Sequence, residues 1–133
     1  MNLIIDANII FAALIKNNAT RELLVNEDIR LYAPEFIFIE IEKYSDEICE
    51  KSGKTLEELK KVLKVLTDRI TVIPDKELNQ YLDYAIKVSP DPKDVPYIAL
   101  CLKMKCALWT NDKSLKKSGI QVYTTEELLS IYE

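Results

Sequence analysis

The chain has 133 residues, with 22 acidic and 18 basic side chains, two glycines, three cysteines and no histidine. The lack of histidine excludes Ser-His-Asp and Cys-His catalysis and any zinc site with imidazole ligands. The two glycines, Gly53 and Gly119, are too far apart in the sequence to form a GxGxxG or Walker A loop. The acidic excess disfavours general electrostatic attraction to nucleic acid or anionic membranes. Proton or metal chemistry in this chain must therefore use carboxylates.

Length and composition predict one globular domain over residues 1–133. The three cysteines form no CxxC pair, and their odd number favours reduced thiols and cytoplasmic localisation. No apolar run reaches the roughly 18 residues of a membrane span, so no membrane association is expected. Asp6 and Asn8 interrupt the apolar N-terminal stretch, which we expect to form a strand and a helix rather than a secretory leader.

Apolar runs and helical periodicity alternate along the first half of the chain. They predict strands at 2–5 and 30–32 and helices at 8–15, 20–25, 34–50 and 55–66. Thr20 is the expected N-cap of the second helix, and Thr55 with Glu58 forms a capping box for the fourth. The last two helices are expected to form a hairpin hinged at Gly53.

The same alternation continues in the second half. It predicts strands at 70–73, 107–110 and 121–123 and helices at 75–88, 94–105 and from 124 onward. The strands are apolar throughout rather than alternating, which indicates a parallel sheet covered on both faces. The predicted fold class is α/β, a three-layer α/β/α sandwich with a mainly parallel central sheet.

Acidic residues follow several of the predicted strands. Asp6 ends the first strand and Asp112 follows the fourth, while Asp91 and Asp94 come directly before a helix. In a parallel sheet, ligands bind outside the carboxyl ends of the strands. Each aspartate taken singly has another explanation, because aspartate is a preferred N-cap. Together they would form an anionic pocket that needs a cation, which favours a metal site.

The helix predicted from Pro34 adds a fourth acid. Its apolar arc contains Ile37, Ile41, Tyr44 and Ile48. At about 100° per residue, Glu40 lies roughly 70° from the centre of that arc. Glu42 lies about 130° away and should face solvent. Glu40 is therefore predicted to border the core and look into the pocket, with an outward-facing helix charge as the alternative.

The acid-bearing segments follow one another in a recognisable order along nearly the whole chain. They are residues 3–10, residues 33–35 with the helix that carries Glu40, residues 91–100 and residues 108–115. In order and spacing they resemble the PIN-domain ribonucleases, which include the VapC-type toxins of toxin-antitoxin pairs. The chain has Ala7 and Asn111 where that family more often has threonine and glycine.

The resemblance implies a PIN-like fold and assigns roles residue by residue. The implied metal-binding and catalytic set is Asp6, Glu40, Asp94 and Asp112, with Asn8, Thr110 and Asp91 in support. It also implies an RNA substrate, a homodimer and a cognate antitoxin protein as partner. The predicted helical hairpin from Pro34 to Leu66 could supply an interface.

The residue types also define a chemistry. Hard carboxylate oxygens select Mg²⁺ or Mn²⁺, which lower the pKa of a bound water and orient it for attack on phosphorus. We predict a divalent-metal-dependent endoribonuclease, with Asp6 and Asp94 as principal ligands and Glu40 and Asp112 positioning metal or water. Candidates for phosphate contacts, each with a solvated surface role as the alternative, are Lys16, Lys43 and Lys113.

Two other classes of protein remain open from the sequence. A non-catalytic PIN-like subunit that binds RNA or protein could carry the same acids. A receiver-type phosphoacceptor domain shares the length, the doubly wound sheet and an acidic Mg²⁺ site. That family has paired acids after its first strand and an aspartate after its third, whereas here Ala7 follows Asp6 and Pro74 precedes Asp75.

Overall fold

The computed structural model describes residues 1–15 and 18–132. Lys16, one of the predicted phosphate contacts, lies outside the described residues. The strands are β1 (Asn2–Ile5), β2 (Arg30–Pro34), β3 (Ile70–Ile73), β4 (Ala107–Trp109) and β5 (Val122–Tyr123). All strand pairs are parallel, and the order across the sheet is β3-β2-β1-β4-β5. The predicted α/β class with a parallel central sheet is confirmed.

Helices connect these strands and cover the sheet. They are α1 (Ala7–Ile15), α2 (Asn18–Leu24), α3 (Phe36–Lys43), α4 (Ser45–Ser52), α5 (Leu56–Thr67), α6 (Leu82–Val88), α7 (Val95–Met104) and α8 (Thr125–Tyr132). Short 3₁₀ helices occur at Asp75–Tyr81, Pro92–Asp94 and Lys113–Ser118. Within the described parts of the chain, no helix is both long and apolar enough to cross a bilayer.

Burial in the sheet explains why the central strand is apolar from Leu3 to Ile5. Leu3, Ile4 and Ile5 of β1 have no solvent exposure, so both faces of the central strand are covered. The chain moves outward from β1 through β2 to β3, and then returns to place β4 on the other side of β1. This reversal lies between β1 and β4, where Ile5 pairs with Trp109. It is the position at which parallel sheets form ligand crevices.

The predicted helix over residues 34–50 is interrupted. Pro34 ends β2 instead of opening the helix, and the helical segment breaks at Tyr44, whose φ of −103° and ψ of 7° leave the α-helical region. The Ser45 hydroxyl donates a 2.9 Å hydrogen bond to the Glu42 carbonyl, which offers that carbonyl a local partner in place of a helical N–H. The result is two short helices, α3 and α4.

The local turn signals are confirmed in part. The Thr55 side chain and the Glu58 side chain each accept a 3.2 Å hydrogen bond from the other residue's backbone N–H, which completes the predicted capping box. Gly53 ends α4 with a positive φ of 71°, as expected of a hinge glycine. The expectation for Thr20 is wrong, because α2 begins at Asn18 and Thr20 is buried inside it. The single helix predicted over residues 75–88 is instead a 3₁₀ helix, Asp75–Tyr81, followed by α6.

Candidate active site

The carboxyl ends of β1 and β4 bring two of the predicted residues side by side. Asp6 follows β1 and Thr110 follows β4, and the residues just before them, Ile5 and Trp109, are paired across the sheet. The Thr110 side chain hydrogen-bonds to the Asp6 carboxylate, and its hydroxyl oxygen accepts the backbone N–H of Asp112 at 3.1 Å. Thr110 therefore connects the first and last acids of the predicted set.

Asp6 is the most enclosed acid of the site. Its side chain is 7% exposed, and Oδ1 accepts the backbone N–H of Ile9 at 3.2 Å in the first turn of α1. Burial raises the pKa of Asp6 to about 6 against the hydrogen bonds that lower it, and the nearby charges of Asp94 and Glu40 add to the rise. Asp6 therefore caps α1 with a carboxylate whose charged form is destabilised by burial.

Asp94 is buried to a similar degree as Asp6 but lacks the hydrogen bonds that Asp6 accepts. It ends the 3₁₀ helix before α7, it is 9% exposed, and its side chain makes no capping hydrogen bond. Its Oδ2 atom is buried and accepts no hydrogen bond from any described residue. Burial, followed by the charges of Asp91 and Asp112, raises the pKa of Asp94 to about 6. A buried carboxylate oxygen without a hydrogen-bond donor is energetically unfavourable, and a bound cation would stabilise it.

Glu40 faces the site from α3, as its helical position predicts. Its Oε1 accepts a hydrogen bond from the hydroxyl of Tyr97, a side chain of α7 that is 2% exposed. Burial and the adjacent Glu40 charge raise the pKa of the Tyr97 phenol far above its ordinary value, so this group stays protonated as a donor. Glu42 is exposed, in agreement with the predicted helical face.

The other two acids lie at the exposed rim. Asp91 Oδ1 accepts the backbone N–H of Lys93 at 3.0 Å. Asp112 Oδ1 accepts the backbone N–H of Ser114 at 3.0 Å and its hydroxyl at 2.6 Å. Both therefore cap 3₁₀ helices, which is the alternative explanation that the sequence left open. Capping accounts for Asp6 as well, but it accounts for neither Asp94 nor Glu40.

The structure brings the predicted acids into one electrostatic cluster. Asp6, Glu40 and Asp94 each interact with the other two, and Asp94 also interacts with Asp91 and Asp112. Among the described residues, no lysine or arginine forms an ion pair with any of these five acids. The predicted cations are less central, because Lys113 is exposed and Lys43 places its ammonium 5.3 Å from the centre of the Tyr44 ring.

The donor set fits a hydrated divalent cation better than a tightly caged one. Over residues 1–15 and 18–132, no three acidic or thiol side chains are grouped closely enough to form a complete metal cage. Mg²⁺ usually keeps several waters and uses only one or two protein carboxylates together with substrate phosphate. Asp94 Oδ2 and the carboxylate of Asp6 are the oxygens best placed by burial and charge for such an ion.

Sequence reasoning missed two residues beside the cluster. Tyr97 lies three positions after Asp94, so one helical turn places both on the same face. This spacing could have indicated from the sequence that Tyr97 lies near the acids. Lys93 lies directly before Asp94, and its charge opposes the rise in the Asp94 pKa. Asn111, one of the two departures from the family pattern, accepts the backbone N–H of Thr125 at 2.8 Å and so anchors the start of α8.

The fold and the site together define a parallel α/β protein with an acidic cluster at the point where the strand order reverses. The sequence profile of the PIN domain matches residues 4–132, which is nearly the whole chain. The chain belongs to the PIN-domain family, as its acid-bearing segments predicted. A search of curated proteins finds no match to the sequence.

Solved structures share this fold at low sequence identity. PAE2754 from Pyrobaculum aerophilum is 17% identical with a TM-score of 0.74, and the match covers 98% of this chain and 88% of that one. VapBC2 from Rickettsia felis, bound to a DNA fragment from its promoter, is 15% identical with a TM-score of 0.74 and coverages of 93% and 98%. VapBC-1 from nontypeable Haemophilus influenzae is 16% identical with a TM-score of 0.67 and coverages of 95% and 99%.

Proposed function

We propose that this protein is a divalent-metal-dependent endoribonuclease that acts as the toxin of a toxin-antitoxin pair. The observation that carries the proposal is Asp94, whose buried Oδ2 lacks a hydrogen-bond donor while four other carboxylates surround it. A purely structural aspartate at a helix start would cap that helix, and Asp94 does not. Membership of the PIN-domain family supports the same conclusion.

The chain's own residues supply the positions that phosphodiester hydrolysis requires. Mg²⁺ or Mn²⁺, when bound, supplies an activated water and neutralises charge on the attacked phosphate. Asp6 and Asp94 would hold the ion, and Thr110 fixes the Asp6 carboxylate by its hydrogen bond. Glu40, oriented by Tyr97, and Asp112 at the rim orient the attacking water. No imidazole is needed for this chemistry.

The proposed partners follow from the family and from exposed apolar side chains. The similar VapBC structures support an antitoxin as the protein partner of this chain. Phe38 and Ile39 of α3 and Val65 of α5 are 45%, 60% and 63% exposed, and such exposed apolar side chains support a homodimer interface on these helices. We place the protein in the cytoplasm, where RNA is present and its free cysteines stay reduced.

The proposal is tested by incubating the purified protein with end-labelled single-stranded RNA in Mn²⁺, in Mg²⁺ and in EDTA. The wild-type protein should cleave in either metal, EDTA should stop cleavage, and Asp6→Asn and Asp94→Asn should each lower the rate at least about 100-fold. Cleavage that survives EDTA or both substitutions would refute the proposal. Absence of cleavage by a folded wild-type protein would instead favour a non-catalytic PIN-like subunit.

A further inference from the structure

A groove of about 330 Å³ lies directly beside the acidic cluster. Asn8 and Glu40 line it, and Glu40 also interacts with the buried acids, so the groove and the cluster share a boundary. The apolar part of its lining comes from α1, from the break between α3 and α4, and from α4, and it consists of Phe11, Ile15, Tyr44 and Ile48. A molecule in the groove would therefore extend from an apolar floor to the carboxylates.

Two aromatic rings form part of that floor. Phe11 and Tyr44 are half-buried, and their rings meet edge to face with centroids 5.7 Å apart. The break in the helix at Tyr44 leaves this ring against α1 at the groove. Each ring therefore offers part of its surface to the groove. Unpaired nucleobases stack on such rings with little dependence on their identity.

The charged side chains of the groove differ in how they are paired. Lys51 is neutralised by Glu47, with 2.8 Å between the ammonium and the carboxylate. Lys93 lies at the boundary with the acidic cluster, next to Asp94, and in the described chain no carboxylate lies within ion-pair distance of it. Lys93 is therefore free to contact an anionic group that reaches from the groove towards Asp94.

We propose that this groove is a nucleotide subsite, which rests on the proposed nuclease function. It binds the unpaired nucleotide next to the scissile phosphate of single-stranded RNA, with the base against Phe11 and Tyr44 and the adjoining phosphate on Lys93. The Asn8 side chain, which lines the same groove, supplies an amide donor and acceptor for the base or ribose. Aromatic surface, a free cation and continuity with the cluster favour a nucleotide over an apolar peptide.

Fluorescence anisotropy with a labelled single-stranded RNA decamer measures this subsite separately from cleavage. Every protein in the series carries Asp94→Asn, which prevents turnover and removes one repelling charge. Phe11→Leu removes an aromatic face while keeping apolar volume, Lys93→Ala removes the free cation, and Lys60→Ala on exposed α5 is the matched control. The melting temperature of each variant establishes that it is folded.

Phe11→Leu and Lys93→Ala should each weaken binding by about 5-fold or more, whereas Lys60→Ala should leave it unchanged. Lys93→Ala should also lower the slope of log affinity against log salt by about 0.7. Equal affinities across the three variants, or equal binding of the duplex form of the RNA, would overturn the subsite. So would binding of a leucine- and arginine-rich decapeptide that Phe11→Leu abolishes while RNA binding persists, since the groove would then hold a protein segment.

The two proposals fail in different ways. If the groove variants lose RNA affinity but the wild-type protein cleaves no RNA, the nucleotide subsite is retained and the nuclease function is refuted. If the wild-type protein cleaves RNA and the groove variants bind it normally, the nuclease function is retained and the subsite is refuted.

Discussion

Asp94 combines two properties that rarely coexist in a carboxylate, because it is buried and one of its oxygens lacks a hydrogen-bond donor. The negative charges of the surrounding acids further destabilise the charged form of Asp94. Such a residue lowers the stability of the metal-free fold unless a cation offsets its charge. Replacing Asp94 with a neutral residue should therefore raise the stability of the metal-free protein and weaken metal binding.

Replacing Asp94 with asparagine should stabilise the metal-free protein. The neutral amide removes repulsion with Glu40, Asp91 and Asp112, so we expect a gain of about 1 kcal/mol at pH 7, or roughly 3–5 °C in melting temperature. The same substitution should abolish the rise in melting temperature that millimolar Mn²⁺ gives the wild-type protein. Differential scanning fluorimetry in EDTA and in Mn²⁺ measures both effects.

Asp91→Asn is the control for that experiment, because Asp91 is exposed and asparagine caps a helix as well as aspartate does. It removes only the repulsion between Asp91 and Asp94, so it should raise the metal-free melting temperature by less than Asp94→Asn does and should leave most of the Mn²⁺ response in place. A wild-type Mn²⁺ response that Asp94→Asn keeps in full would contradict the role given to Asp94.

The raised pKa values of Asp6 and Asp94, both about 6, predict a pH dependence of defined sign. A carboxyl whose pKa is higher in the folded state binds its proton more tightly there, so its contribution to stability is present at low pH and is lost as the pH rises through 6. Metal binding competes with these protons. The Mn²⁺-induced rise in melting temperature should therefore grow between pH 5 and pH 7.

Scanning fluorimetry at half-unit pH intervals, with and without Mn²⁺, measures this growth. The Asp6→Asn variant serves as the comparison, because it lacks one of the two titrating groups. A Mn²⁺ response of constant size across the range would mean that these carboxylates are not the groups that bind the ion.

Tyr97→Phe tests the hydrogen bond that orients Glu40. The ring still fills its buried position, so the loss in unfolding free energy should be about 1 kcal/mol, the ordinary value for one hydrogen bond. Cleavage should fall about 10-fold in kcat with little change in KM, because Glu40 is misplaced while the RNA contacts remain. Steady-state kinetics separate the two constants, and an unchanged kcat would show that Tyr97 serves packing alone.

At the scale of the elements, the four aspartates are positioned by the end of a strand or the start of a helix, and Glu40 is positioned by its place within α3. Local signals predicted these junctions well where one turn decides them, as at the Thr55 capping box and at Gly53. They did not predict the ends of helices that are set by longer-range packing or by a competing hydrogen bond. The pattern around Tyr44 is helical throughout, and only the packing of its ring on Phe11 and the Ser45 hydrogen bond reveal the break.

The capping box of α5 should contribute to stability and not to activity. Thr55→Ala removes the acceptor for the Glu58 N–H and should lower the free energy of unfolding by about 1 kcal/mol in urea titrations. RNA cleavage at 25 °C should be unchanged, because α5 contributes no residue to the acidic cluster. Glu58→Gln keeps the reciprocal hydrogen bond and should cost less than Thr55→Ala. Equal losses would show that the Glu58 charge, and not the box, stabilises the helix.

At the scale of the whole molecule, the order of the strands places the acids together. Apolar strands alternating with helices predicted a parallel sheet, and the point where the strand order reverses is where the predicted acids lie together. The sequence could not show which acids are buried and unsatisfied, since that depends on how α3 and α7 pack around β1. For the same reason Tyr97 and Lys93 were missed, although both lie within three residues of Asp94.

The net charge of −4 also takes on a different meaning at this scale. Part of the acidic excess is concentrated in five carboxylates that no described lysine or arginine neutralises. A bound divalent cation would reduce that local charge and allow an RNA phosphate to approach. Under the proposed function, the bound metal would reconcile the acidic composition with a polyanionic substrate.

The most direct test of this central claim is a calorimetric titration of Mn²⁺ into the metal-free wild-type protein and into Asp94→Asn at pH 7. We predict saturable binding by the wild-type protein and an affinity at least about 10-fold weaker in the variant. Equal binding by the two proteins, or no binding by a folded wild-type protein at millimolar Mn²⁺, would contradict the assignment of a metal site to this acidic cluster.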